Sequence, residues 1–210
     1  MGYTRLMTDV NQTENGKHER LPLKEACVVE ALALIGQVGI EGLSLREVAR
    51  RLGVSHQAPY KHFESKDHLL AEVIRRCFRG FADALRQSAA NAATPEEAMT
   101  NIGRIYLQYA CEHTLEYRLM FSTSWPAPTK RANGLAADAR AAFDVLKDRL
   151  RALTPHRSDE ELDLDAFYIW SAIHGLATVR ESDAVSFLDF HEEKRAMAVQ
   201  HAINMIKRFV

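Results

Sequence analysis

Between Ser44 and Lys66 the chain sets five cationic side chains, Arg46, Arg50, Arg51, Lys61 and Lys66, among the hydroxyls of Ser44 and Ser55, the imidazoles of His56 and His62, and the phenol of Tyr60. Guanidinium, ammonium and hydroxyl groups at this density suit the ligation of phosphate oxygens. Gln57 and Ala58 stand in the middle of the group. A carboxamide pairs bidentately with an adenine edge, and a methyl group packs on the methyl of thymine. Only Glu47 and Glu64 oppose the cations, so the segment carries +3 in a chain whose total is −1, leaving −4 to the rest. A basic head on an acidic body offers a polyanion one face to find.

Those side chains need elements to hold them. Ser44-Leu45-Arg46-Glu47 reads as a capping box, in which Ser44 accepts from an orphan amide and Glu47 reaches back to the amide of the cap. The helix it opens covers 45–52, with Leu45, Val48, Ala49 and Leu52 on its inner face and Arg46, Arg50 and Arg51 outside. Gly53 turns the chain. Ser55 then opens a helix through His62, about eight residues or ~12 Å long, which suits presentation to a groove better than spanning a core. Val54 and Phe63 read as core, and Ser65 caps a long helix over about 66–91.

The stretch resembles the DNA-binding domain of the TetR family of bacterial regulators over about residues 24–75. The residues that carry the likeness are Ser44, Ala49, Leu52-Gly53-Val54-Ser55, Tyr60-Lys61-His62-Phe63, and Lys66 with Leu69. Pro59 departs from it, standing where the family usually has Leu; it forgoes an intrahelical hydrogen bond and leaves the direction of the short helix open. The resemblance implies that His56, Gln57 and Ala58 meet base edges and that Arg46 reaches a guanine or a phosphate. It implies further that Ser44, Ser55, Tyr60, Lys61, His62 and Lys66 hold the backbone of a double-stranded operator.

The remaining chain reads as helix throughout. Residues 1–21 are polar and aperiodic, expected as a disordered arm. A helix over about 24–37 precedes the head. Thr94-Pro95-Glu96-Glu97 and Ser158-Asp159-Glu160-Glu161 repeat the start signal, opening helices over about 95–112 and 159–181. Others cover about 115–121, 134–153 and 191–209. The expected fold is all-α with about nine helices: a three-helix helix-turn-helix domain over 22–68 and a helical bundle over 69–210.

In that bundle, Phe78, Phe81, Tyr106, Tyr109, Tyr117, Met120, Phe121, Trp125, Phe143 and Trp170 supply bulk either for a core or for the lining of an effector pocket. Trp170, His174 and Gly175 resemble the Trp…His-Gly signature of one C-terminal subclass of the family. His174 reads as a ligand contact or as a satisfied core group, and Gly175 as a site of close helix packing. Ala196, Val199, Ile203 and Ile206 form one stripe, which packs within the subunit or across a homodimer.

Cys27, Cys77 and Cys111 lie far apart, which argues against a disulfide framework or a zinc site. No run approaches a membrane span, the first residues lack a signal peptide's apolar stretch, and a cytoplasmic protein is expected. GxSxG, P-loop and GxGxxG patterns are missing, and His191-Glu192-Glu193 lacks the second histidine of HExxH. The sequence therefore predicts no catalytic residue, no metal and no cofactor. It predicts a dimeric, ligand-responsive repressor with DNA and an unidentified small molecule as partners. Two other classes stay open: a helical small-molecule enzyme using His174 or His113, and a protein-docking module.

Overall fold

A computed structural model describes residues 21–122, 124–125 and 134–180 and the isolated positions 197, 201 and 204. Seven α-helices and one 3-10 turn make up the described residues, with no strand among them. They are α1 (Leu23–Val38), α2 (Leu45–Leu52), the 3-10 turn Pro59–Lys61, α3 (Lys66–Ala90), α4 (Pro95–Glu112), α5 (Thr114–Phe121), α6 (Leu135–Leu153) and α7 (Asp159–Arg180). The fold is all-α, as the sequence predicts. The polar arm and the terminal helix with its Ala196/Val199/Ile203/Ile206 stripe fall outside the described residues.

Helix starts follow the hydroxyl caps. Ser44, Ser65, Thr94 and Ser158 each accept from the amide three residues on, at 3.1–3.3 Å. Gly53 ends α2 in the left-handed conformation, φ +65°, which a side chain would strain. Its backbone lets Val54 N–H return to Ala49 C=O at 3.0 Å.

The 25 residues of α3 span roughly 37 Å and connect head to body. Its first half buries Leu69, Leu70, Val73 and Ile74, and its second half Phe78, Phe81 and Leu85, all within one continuous core. Each such side chain contributes about 1.5–3 kcal/mol of burial. Helices α1, α4, α5 and α6 pack around α3, and α7 lies against α4 and α6. Polar ties reinforce the arrangement. Arg76 of α3 pairs with Glu25 of α1, and Arg75 and Arg79 both reach Asp138 in the first turn of α6, at 2.8 and 3.2 Å.

Candidate nucleic-acid interface and aromatic core

The segment that should read bases is well anchored and outward-facing, but it is not an α-helix. Residues 56–58 form a turn and Pro59–Lys61 a 3-10 turn, correcting the helix expected from Ser55 to His62. The cause is Pro59. It has no N–H to give to Ser55 C=O, which accepts instead from Ala58 at 2.9 Å, one residue short of helical spacing. The Ser55 carbonyl, rather than its hydroxyl, thus organises the start. Pro59 C=O then accepts from both His62 and Phe63, at 2.9 and 3.0 Å. Pro59 and Phe63 are buried, and between them Tyr60 is 43% exposed. Ser55, His56, Gln57, Lys61 and His62 are exposed as well, with Ala58 half-buried. Val54, expected in the core, is half-buried.

On α2 the inner face is as expected, with Leu45, Val48 and Ala49 buried. Ser44 is half-buried at the helix start and Arg46 is exposed. The Glu47 carboxylate corrects the expected capping box. It takes Arg50 Nε and Nη2 at 2.8 and 2.7 Å and Arg51 Nε at 3.0 Å. Charged guanidinium donors outbid a neutral amide for a carboxylate. Their hydrogen bonds, Arg50 first and Arg51 next, hold its carboxyl down to about 2. Arg51 is not an outward residue: it reaches across to Glu30 of α1 at 3.3 Å. Lys66 donates to Glu41 C=O at 3.2 Å, tying the start of α3 to the turn that precedes α2. A groove of about 480 Å³ is bordered by Lys24, His62, Glu64, His68, Glu72 and Arg75.

The aromatic candidates of the body come together. Phe81 contacts Tyr106, Tyr109, Phe121 and Trp170 with ring centroids 5.0–6.1 Å apart. Phe78 meets Phe121 and Trp125 edge-on, and Phe143 meets Trp170. Met120 is buried, and its carbonyl accepts from the Trp125 indole at 3.1 Å. His174 is a satisfied group at Nδ1, with Tyr117 Oη at 2.7 Å and Tyr106 Oη at 3.0 Å. Tyr117 stacks on the imidazole, and Phe121 contacts both His174 and Trp170. Burial pushes the His174 pKa down and those of both phenols up. Gly175 differs from expectation. It is exposed, and a Cβ there meets nothing within 4 Å among the described residues. The close approach does not occur within the described subunit.

Sequence reasoning missed the pairing of Arg75 and Arg79 with Asp138 and the hydrogen bonds of Tyr106 and Tyr117 to His174, whose partners lie 57–68 residues apart. Both cysteines of the core, Cys27 and Cys77, are free thiols, and Cys111 is half-buried. Among the described residues, no group of three or more His, Cys, Asp or Glu side chains could hold a metal ion, and no helix is long and apolar enough to cross a membrane.

Comparison with known proteins agrees with this architecture. Residues 28–73 match the family model described as bacterial regulatory proteins, tetR family, and residues 99–205 match the tetracyclin repressor-like C-terminal domain. The HTH-type transcriptional regulator BetI of Rhizobium meliloti is 30% identical over 142 residues, covering 66% of this chain and 70% of that protein. The class C tetracycline repressor of Escherichia coli is 49% identical over 47 residues, 22% of each chain. A Rhodococcus sp. RHA1 protein of unknown function superposes with TM-score 0.76 at 22% identity, over 93% of this chain and 99% of that one. A TetR-family regulator from Bordetella parapertussis superposes with TM-score 0.61 at 16% identity, over 89% and 95%. The chain belongs to the TetR family of DNA-binding transcriptional regulators.

Proposed function

We propose that this regulator is a cytoplasmic, ligand-responsive repressor, without catalytic activity, that binds a palindromic operator as a homodimer. Residues 22–68 act as the DNA-binding head and 69–210 as the effector-binding and dimerising body. The Trp170, His174 and Gly175 pattern supports membership of the Trp…His-Gly subclass. The observation that carries the DNA contact is the segment 55–62. It is fastened from below by Pro59 and Phe63, and it exposes Gln57, Tyr60 and Lys61 within a segment that carries +3 in a chain of net charge −1. His56, Gln57 and Ala58 read bases, while Ser44, Arg46, Ser55, Tyr60, Lys61, His62 and Lys66 position the phosphates.

The dimer face is the exposed stripe of α7, on which Leu164, Phe167, Tyr168 and Val179 are each at least half exposed, together with the terminal helix. The effector enters among the aromatic side chains around Trp170 and His174 and shifts α3, which runs from that cluster into the head. A coupling of about 1–3 kcal/mol changes operator occupancy five- to 150-fold.

The test is binding of the chain's own upstream DNA across a salt series. Lys61→Ala should flatten the salt dependence by about 0.9 in log–log slope per head and weaken all sequences alike. Gln57→Ala should cost about 1–3 kcal/mol on the operator and little on random DNA. Binding that ignores salt in the unaltered protein would reject the reading.

A further inference from the structure

The three capping boxes legible in the sequence are used differently. At Ser158 the box closes: Ser158 N–H donates to Glu161 Oε2 at 2.8 Å, and Glu161 N–H donates to Ser158 Oγ at 3.3 Å. At Thr94, the Glu97 carboxylate takes the neighbouring Ala93 N–H at 2.8 Å. Glu47 instead turns outward along α2 to two guanidinium groups.

The two arginines it holds are not equivalent. Arg51 is 23% exposed and shared with Glu30, so it staples α2 to α1. Arg50 is 67% exposed, and among the described residues Glu47 is the carboxylate that engages it, through both Nε and Nη2. That two-point contact takes the Nε/Nη2 edge of the guanidinium, one of the two edges with which arginine grips a phosphate, and sets a carboxylate charge against its own. Arg50 also lies one turn beyond Arg46 on the same exposed side of α2.

We infer that Glu47 restrains DNA binding: by taking the Nε/Nη2 edge of Arg50 and offsetting its charge, it holds back from the operator backbone a phosphate-binding residue that stands beside Arg46. This rests on the DNA-binding reading above. With its carboxyl held near 2, Glu47 stays charged at neutral pH, and the restraint is not relieved by protonation. Arg50 was not among the phosphate-binding positions implied by the family likeness. Its proximity to Arg46 and its engagement by Glu47 identify it as one held in reserve.

The experiment is a four-way comparison of the full chain, Glu47→Gln, Arg50→Gln and the double variant, binding a random-sequence duplex from about 50 to 200 mM salt. Glutamine preserves the backbone amide that Ser44 caps, and circular dichroism melts confirm that each variant folds. Glu47→Gln should steepen the log–log slope by about 0.9 per head, an extra gain of roughly 3.5-fold per head across that salt range. The double variant should return to the original slope, and Arg50→Gln alone should leave it unchanged. A double variant as steep as Glu47→Gln would show that removing a negative charge explains the gain, and a flatter slope in Arg50→Gln would show that Arg50 already contacts DNA. Either overturns the inference. Salt-insensitive binding by the unaltered chain would instead reject DNA binding itself, and this inference with it.

Discussion

Tyr117 Oη and His174 Nδ1 stand 2.7 Å apart inside the aromatic core, joining α5 to α7 through one hydrogen bond. The phenol, whose pKa burial raises, keeps its proton and can donate to the Nδ1 of a neutral imidazole in the tautomer that carries its proton on Nε2. Tyr106 Oη, 3.0 Å from the same nitrogen and 3.3 Å from Tyr117 Oη, has an acceptor on either side.

This arrangement makes stability depend on pH. The folded pKa of His174 lies below the 6.5 of a free imidazole, because burial disfavours the cation. As pH falls through 6.5, the unfolded chain takes up this proton before the folded one does. The contribution is therefore intact above 6.5 and is lost progressively below it. His174→Gln retains an acceptor for Tyr117 but cannot titrate. Its melting temperature should fall less than that of the unaltered protein between neutral and mildly acidic pH, and parallel curves would contradict the assignment.

Pro59 offers a second test. Because it cannot donate to Ser55 C=O, the segment Pro59–Lys61 is wound as a 3-10 turn. Pro59→Leu supplies the missing N–H and a side chain for the buried site. The new amide at position 59 should be protected from hydrogen exchange, and Ala58 N–H should release Ser55 C=O. An unprotected amide there would mean that the tight turn is imposed by the loop around it rather than by proline.

These two cases mark what the sequence could and could not reveal. Hydroxyl caps at Ser44, Ser65, Thr94 and Ser158 act over three residues, so the helix starts they set were legible to within a residue. The consequence of Pro59 was legible as a departure but not as a geometry, since a proline near a helix start is compatible with either winding. Glu47 had two local uses, a cap amide or the arginines three and four residues on, and spacing alone does not choose between them. The aromatic candidates were chosen by type and gathered as a set. Their contacts, like the pairing of Arg75 with Asp138 63 residues away, depend on how α3, α4, α5 and α6 cross.

That pairing yields a third prediction. Asp138 is 18% exposed and accepts from Arg75 at 2.8 Å and Arg79 at 3.2 Å, fastening α6 to the long helix. Asp138→Asn removes the charge and leaves Glu72, at 2.9 Å, as the carboxylate that pairs with Arg75 among the described residues. A partly buried pair stands between the exposed and buried cases, so the expected loss is about 1–2 kcal/mol, roughly 2–8 °C in Tm. Arg79→Ala should cost less, because Arg79 is half exposed and Asp138 keeps Arg75. Equal losses would place the energy in the helix start rather than in the guanidinium contacts.

Gly175 gives the sharpest test of the proposed dimer. It lies on the exposed line of α7 with Leu164, Tyr168, Ser171 and Val179, where an added Cβ meets nothing within 4 Å among the described residues. Within the subunit, Gly175→Leu should therefore be tolerated, and by helix propensity alone it should stabilise α7 by up to ~1 kcal/mol. Across a dimer interface the same side chain would hold apart two helices that a glycine lets approach closely. The expected result is a well-folded variant whose mass by light scattering falls to that of a single chain, and whose affinity for a two-half-site operator collapses while its circular dichroism is retained. Phe167→Asp, at a position 66% exposed, should separate the subunits in the same way by placing charge in the apolar patch. If both variants stay dimeric at the original concentration dependence, α7 is not the face through which the subunits meet.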